Sequence, residues 1–188
     1  GGPGAQTRQD GRASAVARET FPADTLLGGP HAGVLVGRPA LIEGLRRHPL
    51  ARALRPDKLT IAGLEAVVRD YLSGDPWGRV PVLRMISEPL KAVRARATAL
   101  VVHLAEVDIS AEVADTEAKV GGGAAPHAVV PSAGVRLAIG ATALEARLRR
   151  NTPPIIGRLE GDALVLDMRT VGDDEVAVIF RALRGALS

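Results

Sequence analysis

Cysteine is absent from this 188-residue sequence, which excludes disulfides, iron–sulfur clusters and thiolate zinc sites. Aromatic residues number four, Phe21, Tyr71, Trp77 and Phe180, too few and too scattered for a platform on which bases stack. Lysine is scarce as well: Lys58, Lys91 and Lys119 are the only three among 24 basic residues. The four histidines (His31, His48, His103, His127) lack metal-ligand spacing such as HExxH, so no metal site is expected. No GxSxG motif occurs to support a serine triad. No apolar run is long enough to span a membrane, and GGPGAQTRQDGRASAVARE lacks the apolar core of a secretory signal. A soluble, cytoplasmic protein is the expectation.

What is present is an ordinary globular balance, 46% hydrophobic and 24% charged. The length suits one large domain or two small ones, able to bury roughly 70% of the unfolded surface. Charge is unevenly spread. Residues 1–37 are neutral, residues 38–96 carry net +6 and residues 97–188 net −3. A basic segment of this kind suits a surface or cleft that meets phosphates or nucleic acid; a solvated, arginine-rich helix face reads equally well.

Along the chain, residues 1–20 are polar with weak helical signal. Leu26-Leu27-Gly28-Gly29-Pro30 is a turn, two glycines permitting positive φ and Pro30 fixing the exit. Ala32 to Gly37 is a short apolar run bounded by glycine, which predicts a buried strand. Pro39 opens a helix running to Arg47. Asp57 is the expected N-cap of a helix reaching Leu72, with an apolar face of Ile61, Leu64, Val67, Val68, Tyr71 and Leu72. Ser73 to Gly78 is a breaker and the expected domain boundary. A second long helix is expected from about Val82 to Leu104, with Pro89 at its start or at a kink. Strands follow at Val107–Val120 and Gly134–Ile139, with a glycine break at Gly121-Gly122-Gly123. A helix at Ala141–Arg150, a hairpin around Glu160-Gly161-Asp162 and a closing helix at Val176–Leu187 complete a small α+β unit.

The chemistry-bearing region is Asp24 to Lys58. Its glycine-rich turn lets backbone approach a phosphate or cofactor closely, though a turn serving only the fold has the same composition. Beyond it come His48, Arg52, Arg55 and Lys58. On a helix Arg52 and Arg55 share a face, a fork for an oxyanion; the alternative is pairing with nearby carboxylates.

FPADTLLGGPHAGVLVGR, HPLARALRPDKLTIAGLEAVVRDYL, VPVLRMISEPLKAVRARA, VGGG and TPPIIGRLEGDALVLDMRTV, in that order, resemble the corresponding blocks of bacterial selenocysteine synthases (L-seryl-tRNA(Sec) selenium transferases). The resemblance runs from about residue 5 to the end of the chain, and several separated blocks in one order make it specific. It implies the C-terminal portion of such an enzyme: an α/β fold, the end of a fold-type-I pyridoxal-phosphate transferase large domain (1–75) followed by a small C-terminal α+β domain (76–188). It further implies conversion of seryl-tRNA(Sec) to selenocysteyl-tRNA(Sec) with selenophosphate, pyridoxal phosphate serving as electron sink, in a homo-oligomer built from dimers. Arg52 and Arg55 fall on arginines expected to hold the anionic selenium donor. Gly28 and Gly29 fall on the cofactor-binding loop.

One departure matters most. Thr25 stands where the family carries its Schiff-base lysine, and a hydroxyl forms no imine; Pro22-Ala23 also replaces the family's Ser-Gly. The tRNA-contacting N-terminal domain and most of the cofactor domain have no counterpart in the sequence, which opens on Gly1 without methionine, as expected of a piece cut from a longer protein. The chain is therefore expected to be inactive alone. Two alternatives stand beside the transferase fragment: a non-catalytic remnant that binds tRNA or a partner, and a related pyridoxal-phosphate lyase of sugar-acid metabolism. The HPLARALR block speaks against the lyase, which has no evident use for a selenium-donor site.

Overall fold

The computed structural model describes residues 18–120 and 128–187; the expected break at Gly121-Gly122-Gly123 and most of the segment 1–20 lie outside them. The chain divides into two compact units, the first ending at Arg84 and the second beginning at Met85. The fold is mixed α/β with two antiparallel sheets.

In the first unit β1 (Arg18–Pro22) and β2 (Gly33–Gly37) pair antiparallel, Arg18 opposite Gly37 and Pro22 opposite Gly33. The strand expected at Ala32–Gly37 forms, but it is not buried: Leu35 and Val36 are exposed. An apolar run bounded by glycine looks the same in sequence whether it lies in a sheet interior or in a two-stranded ribbon. Helix α1 (Pro39–Arg47) starts on Pro39, whose fixed φ suits the first helical position. Its closing residues Arg46 and Arg47 pair with Glu43 at 3.3 and 3.0 Å.

After the short α2 (Pro49–Ala53), α3 (Lys58–Leu72) is capped as the sequence indicates: the Asp57 carboxylate accepts from Leu59 N at 2.7 Å and Thr60 N at 2.9 Å. The apolar face expected on α3 is covered only in part. Leu64, Val67 and Tyr71 are half-buried, whereas Ile61, Val68 and Leu72 are exposed. Gly63 faces Pro30, where a Cβ would sit 3.5 Å from the proline ring. The breaker Ser73–Gly78 is a turn with Gly74 at φ +87°, followed by the single turn α4 (Pro76–Arg79) and by α5 (Pro81–Ser87).

The helix expected to run from Val82 to Leu104 is two helices. α5 ends at Ser87, Pro89 is extended (φ −60°, ψ 135°), and α6 (Leu90–Ala105) starts after it. A proline ring inside the helix would clash with the preceding turn. The second unit then builds a sheet in the order β3-β4-β6-β5, every pair antiparallel. Its strands are β3 (Glu112–Lys119), β4 (Val129–Leu137), β5 (Arg158–Glu160) and β6 (Ala163–Asp167). Helix α7 (Ala141–Arg149) follows β4, and α8 (Val176–Leu187) ends the unit. β3 begins later than its alternating pattern suggested, because the chain leaves α6 through a turn with Asp108 at φ 58°. The β5–β6 hairpin turns at Gly161, φ +59°, with Glu160 opposite Ala163.

The core lies here. Val93, Ala97, Leu100 and Leu104 descend one face of α6 and pack with Ala133, Val135 and Leu137 of β4 and Leu164 and Leu166 of β6. Leu144 and Leu148 of α7 and Val176, Ile179 and Leu183 of α8 close it. Burying each leucine or isoleucine contributes about 1.5–3 kcal/mol. No helix among the described residues is long and apolar enough to cross a membrane.

Candidate functional site

The loop between β1 and β2 carries Thr25, Gly28 and Gly29. Its backbone closes on itself: Ala23 N donates to Ala32 O at 2.8 Å, Gly29 N to Ala23 O at 2.8 Å, and Gly28 N to Thr25 O at 3.0 Å. Tyr71 of α3 adds a hydroxyl bond to Leu26 O at 3.2 Å. Gly28 has φ +78°, and a Cβ there would lie 2.5 Å from Val80 Cγ1. A Cβ on Gly29 would lie 3.2 Å from Ala23 O. Glycine is therefore demanded at Gly28 by its conformation and by the protein's own packing, and Gly29 sits in tight contact with the backbone.

Continuing the β1–β2 register inward sets Asp24 opposite His31, and His31 Nδ1 meets Asp24 Oδ2 at 2.5 Å. The hydrogen bond from the imidazole holds the Asp24 carboxyl below the usual carboxylate range. The same bond, joined by Coulomb attraction, raises the imidazole above its ordinary value. Sequence reasoning missed this pair; the hairpin register was the signal that could have found it.

Downstream, His48 makes a corner. Its N–H closes α1 by donating to Leu45 O at 3.1 Å. Its carbonyl accepts from Ala51 N at 2.9 Å, and its ring Nδ1 accepts from Leu50 N at 3.2 Å, opening α2. Arg52 sits on α2 and is exposed. Arg55 is exposed too but lies past the helix, whose C-cap is Leu54. The single helical face expected for the two arginines is therefore not formed; Pro56 disfavours helical backbone at Arg55. Neither arginine takes part in a hydrogen bond or ion pair among the described residues, whereas Arg46 and Arg47 are neutralised by Glu43. Two exposed guanidiniums without counter-ions can receive an oxyanion through charge-assisted bonds.

No amine lies on the loop. Thr25 is half-buried there, while Lys58 opens α3, Lys91 lies on α6 and Lys119 ends β3. Covalent attachment of a pyridoxal group at the loop does not fit these residues.

The second unit holds a groove of about 1140 Å³ lined by, among others, Arg94, Thr116, Ser132, Arg158 and Asp167. Asp167 accepts from Thr116 Oγ1 at 2.8 Å, Ser132 Oγ at 2.7 Å and Arg169 N at 3.0 Å. These bonds tie β3, β4 and β6 together and leave the carboxylate engaged by the fold. Sequence reasoning did not single it out.

The sequence model of the L-seryl-tRNA selenium transferase family matches residues 6–172, a span that includes the loop, the His48 corner and most of the second unit. The chain belongs to this family. Among its relatives, an L-seryl-tRNA(Sec) selenium transferase of Desulfovibrio desulfuricans is 44% identical over 180 residues, covering 90% of this chain and 38% of the relative. That of Hyphomonas neptunium is 41% identical over 169 residues, 87% of this chain and 36% of the relative. That of Carboxydothermus hydrogenoformans is 36% identical over 182 residues, 94% of this chain and 39% of the relative. The chain thus spans less than two-fifths of the transferases it matches.

Proposed function

We propose that this chain is the C-terminal part of an L-seryl-tRNA(Sec) selenium transferase, converting seryl-tRNA(Sec) to selenocysteyl-tRNA(Sec) with selenophosphate, and that it is inactive by itself. The observation carrying this reading is the continuous family match through both the loop and the HPLARALR corner. Residues 1–75 read as a remnant of a large fold-type-I cofactor domain and residues 76–188 as the small C-terminal domain. Exposed Leu54, Leu59 and Leu72, at 78%, 85% and 80%, support that reading, since such surface is normally covered in a completed domain. A homo-oligomer built from dimers is part of the same reading.

In this reading Arg52 and Arg55 bind the anionic selenium donor, and the closed backbone of the loop fixes the position of residue 25. Pyridoxal phosphate supplies an electron sink when bound in the family's chemistry, and Thr25 cannot hold it covalently. Thr25 also favours a second reading, a remnant that binds seryl-tRNA(Sec) or a partner without turning over. Replacing the matching segment of the Desulfovibrio desulfuricans transferase with this chain separates the two. The graft with Thr25 should fail to convert seryl-tRNA(Sec), and the graft with Thr25→Lys should convert it. A folded Thr25→Lys graft that binds seryl-tRNA(Sec) without transferring selenium would instead support the binding remnant.

A further inference from the structure

The anion-site reading of Arg52 and Arg55 leaves open what sets their placement, and the answer lies at the corner before them. α2 is too short to be stable by propensity. Its first position is Pro49, which has no N–H. The next two N–H groups, of Leu50 and Ala51, both end on His48: one on the ring Nδ1 at 3.2 Å, the other on the carbonyl at 2.9 Å. The His48 N–H meanwhile terminates α1. One residue therefore sets where α1 stops, where α2 starts and in which direction Arg52 is carried.

An N–H can donate to Nδ1 only while that nitrogen keeps its lone pair, which an imidazole offers in its neutral form with the proton on Nε2. An imidazolium has no acceptor nitrogen, and its charge at a helix start opposes the helix dipole. We propose that His48 is a positioning residue for the anion site: its neutral ring holds α2 and the Arg52–Arg55 segment in place, and protonation releases them, so that oxyanion affinity falls on acidification. This rests on the anion-site reading above. The charged groups around the corner are Glu43, Arg46 and Arg47 on α1, which packs against α2, Arg52 on α2, Arg55 after it and Asp57 at the start of α3. Glu43 is held by Arg46 and Arg47, and Asp57 by Leu59 and Thr60. A His48 acting instead as a direct cationic ligand would have the opposite sign, binding anions more tightly in acid.

Thiosulfate, a dianion at every pH used, is the probe, titrated calorimetrically into the full chain at about pH 8 and about pH 5, the range in which histidine charge changes. Affinity should fall about fivefold in acid, equivalent to about 1 kcal/mol and the size of a lost N-cap. His48→Asn, which caps without titrating, should keep the pH 8 affinity at both values; His48→Ala should be weak at both. Exchange protection of the Leu50 amide, measured without anion, should drop in acid in the wild type and not in His48→Asn. Tighter binding in acid, or His48→Asn as weak as His48→Ala, overturns the positioning role, as does thiosulfate binding with pH-independent Leu50 protection. No thiosulfate binding at pH 8 with the Leu50 pattern intact overturns the anion-site reading, and this inference with it.

Discussion

Arg96 and Glu88 meet as a fork on a carboxylate, Nη1 and Nη2 of the guanidinium donating to the two oxygens at 2.6 and 2.5 Å. Arg96 also reaches Asp173 at 3.0 Å and Met168 O at 3.2 Å, joining the start of α6 to the segment before α8. The guanidinium bond holds the Glu88 carboxyl below the usual range. A carboxyl depressed in the folded state contributes stability above its unfolded value and loses it as pH falls through the lower, folded one. Glu88→Gln should therefore cost about 1.5–3 kcal/mol at neutral pH, the range for a hydrogen bond to a charged group, since Glu88 is only half-buried. Denaturant melts should show the deficit vanish in strong acid, where the wild-type carboxyl is protonated. A deficit constant across pH would show that the side chain acts through packing alone.

Local signals were legible in the sequence, and long-range ones were not. Asp57 and Pro89 mark helix starts by rules that act within four residues, and Gly161 marks a hairpin whose partners are adjacent. Arg96 joins Asp173, and Arg169 donates to the carbonyls of Met85, Glu88 and Pro131 at distances of 2.9, 2.9 and 2.5 Å. Arg169 is only 4% exposed. Nothing periodic distinguishes these arginines from solvated ones, because their burial is decided by segments 38 to 84 positions away. The candidate site was half legible for the same reason. Gly28 and Gly29 lie in the turn read at Leu26–Pro30, whereas the condition for Arg52 and Arg55 to share a face, a helix through both, fails because the helix ends before Arg55 and Pro56.

The Asp57 cap gives a clean test of how much α3 depends on its first turn. Asp57 accepts two backbone N–H bonds and one from the Thr60 hydroxyl at 3.0 Å. Asp57→Ala should lower Tm by a few degrees, and Asp57→Asn, which still accepts, by less. Thermal unfolding followed by circular dichroism measures both. Equal losses would mean that the charge, through the helix dipole, outweighs the hydrogen bonds.

Asp24 and His31 clip the loop within a pH window. The imidazole is raised by the Asp24 bond, so its contribution is full below its unfolded value and disappears as pH rises through the folded one. The carboxyl is lowered by the His31 bond, so its contribution disappears as pH falls through its folded value. Between the two the pair is charged on both sides and the loop is held. The His31 ring protons should titrate above the ordinary imidazole range by NMR and return to it in Asp24→Asn. An unchanged titration in that variant would remove the pair from solution.

Thr25 makes the sharpest chemical statement about the chain itself. An imine with pyridoxal phosphate needs a primary amine; the loop offers a hydroxyl, and the three lysines stand on α3, α6 and β3. Reaction with pyridoxal phosphate followed by borohydride should leave only sparse phosphopyridoxyl label spread over exposed amines, read by peptide mass spectrometry. Thr25→Lys restores an amine at a residue the backbone already holds, through the Gly28 N to Thr25 O bond of 3.0 Å. Label should then concentrate at residue 25 relative to Lys58, Lys91 and Lys119. Stoichiometric labelling of any one of those three in the wild type would show that the chain keeps a cofactor amine elsewhere, and equal labelling of all four in the variant would show that the loop no longer favours the amine.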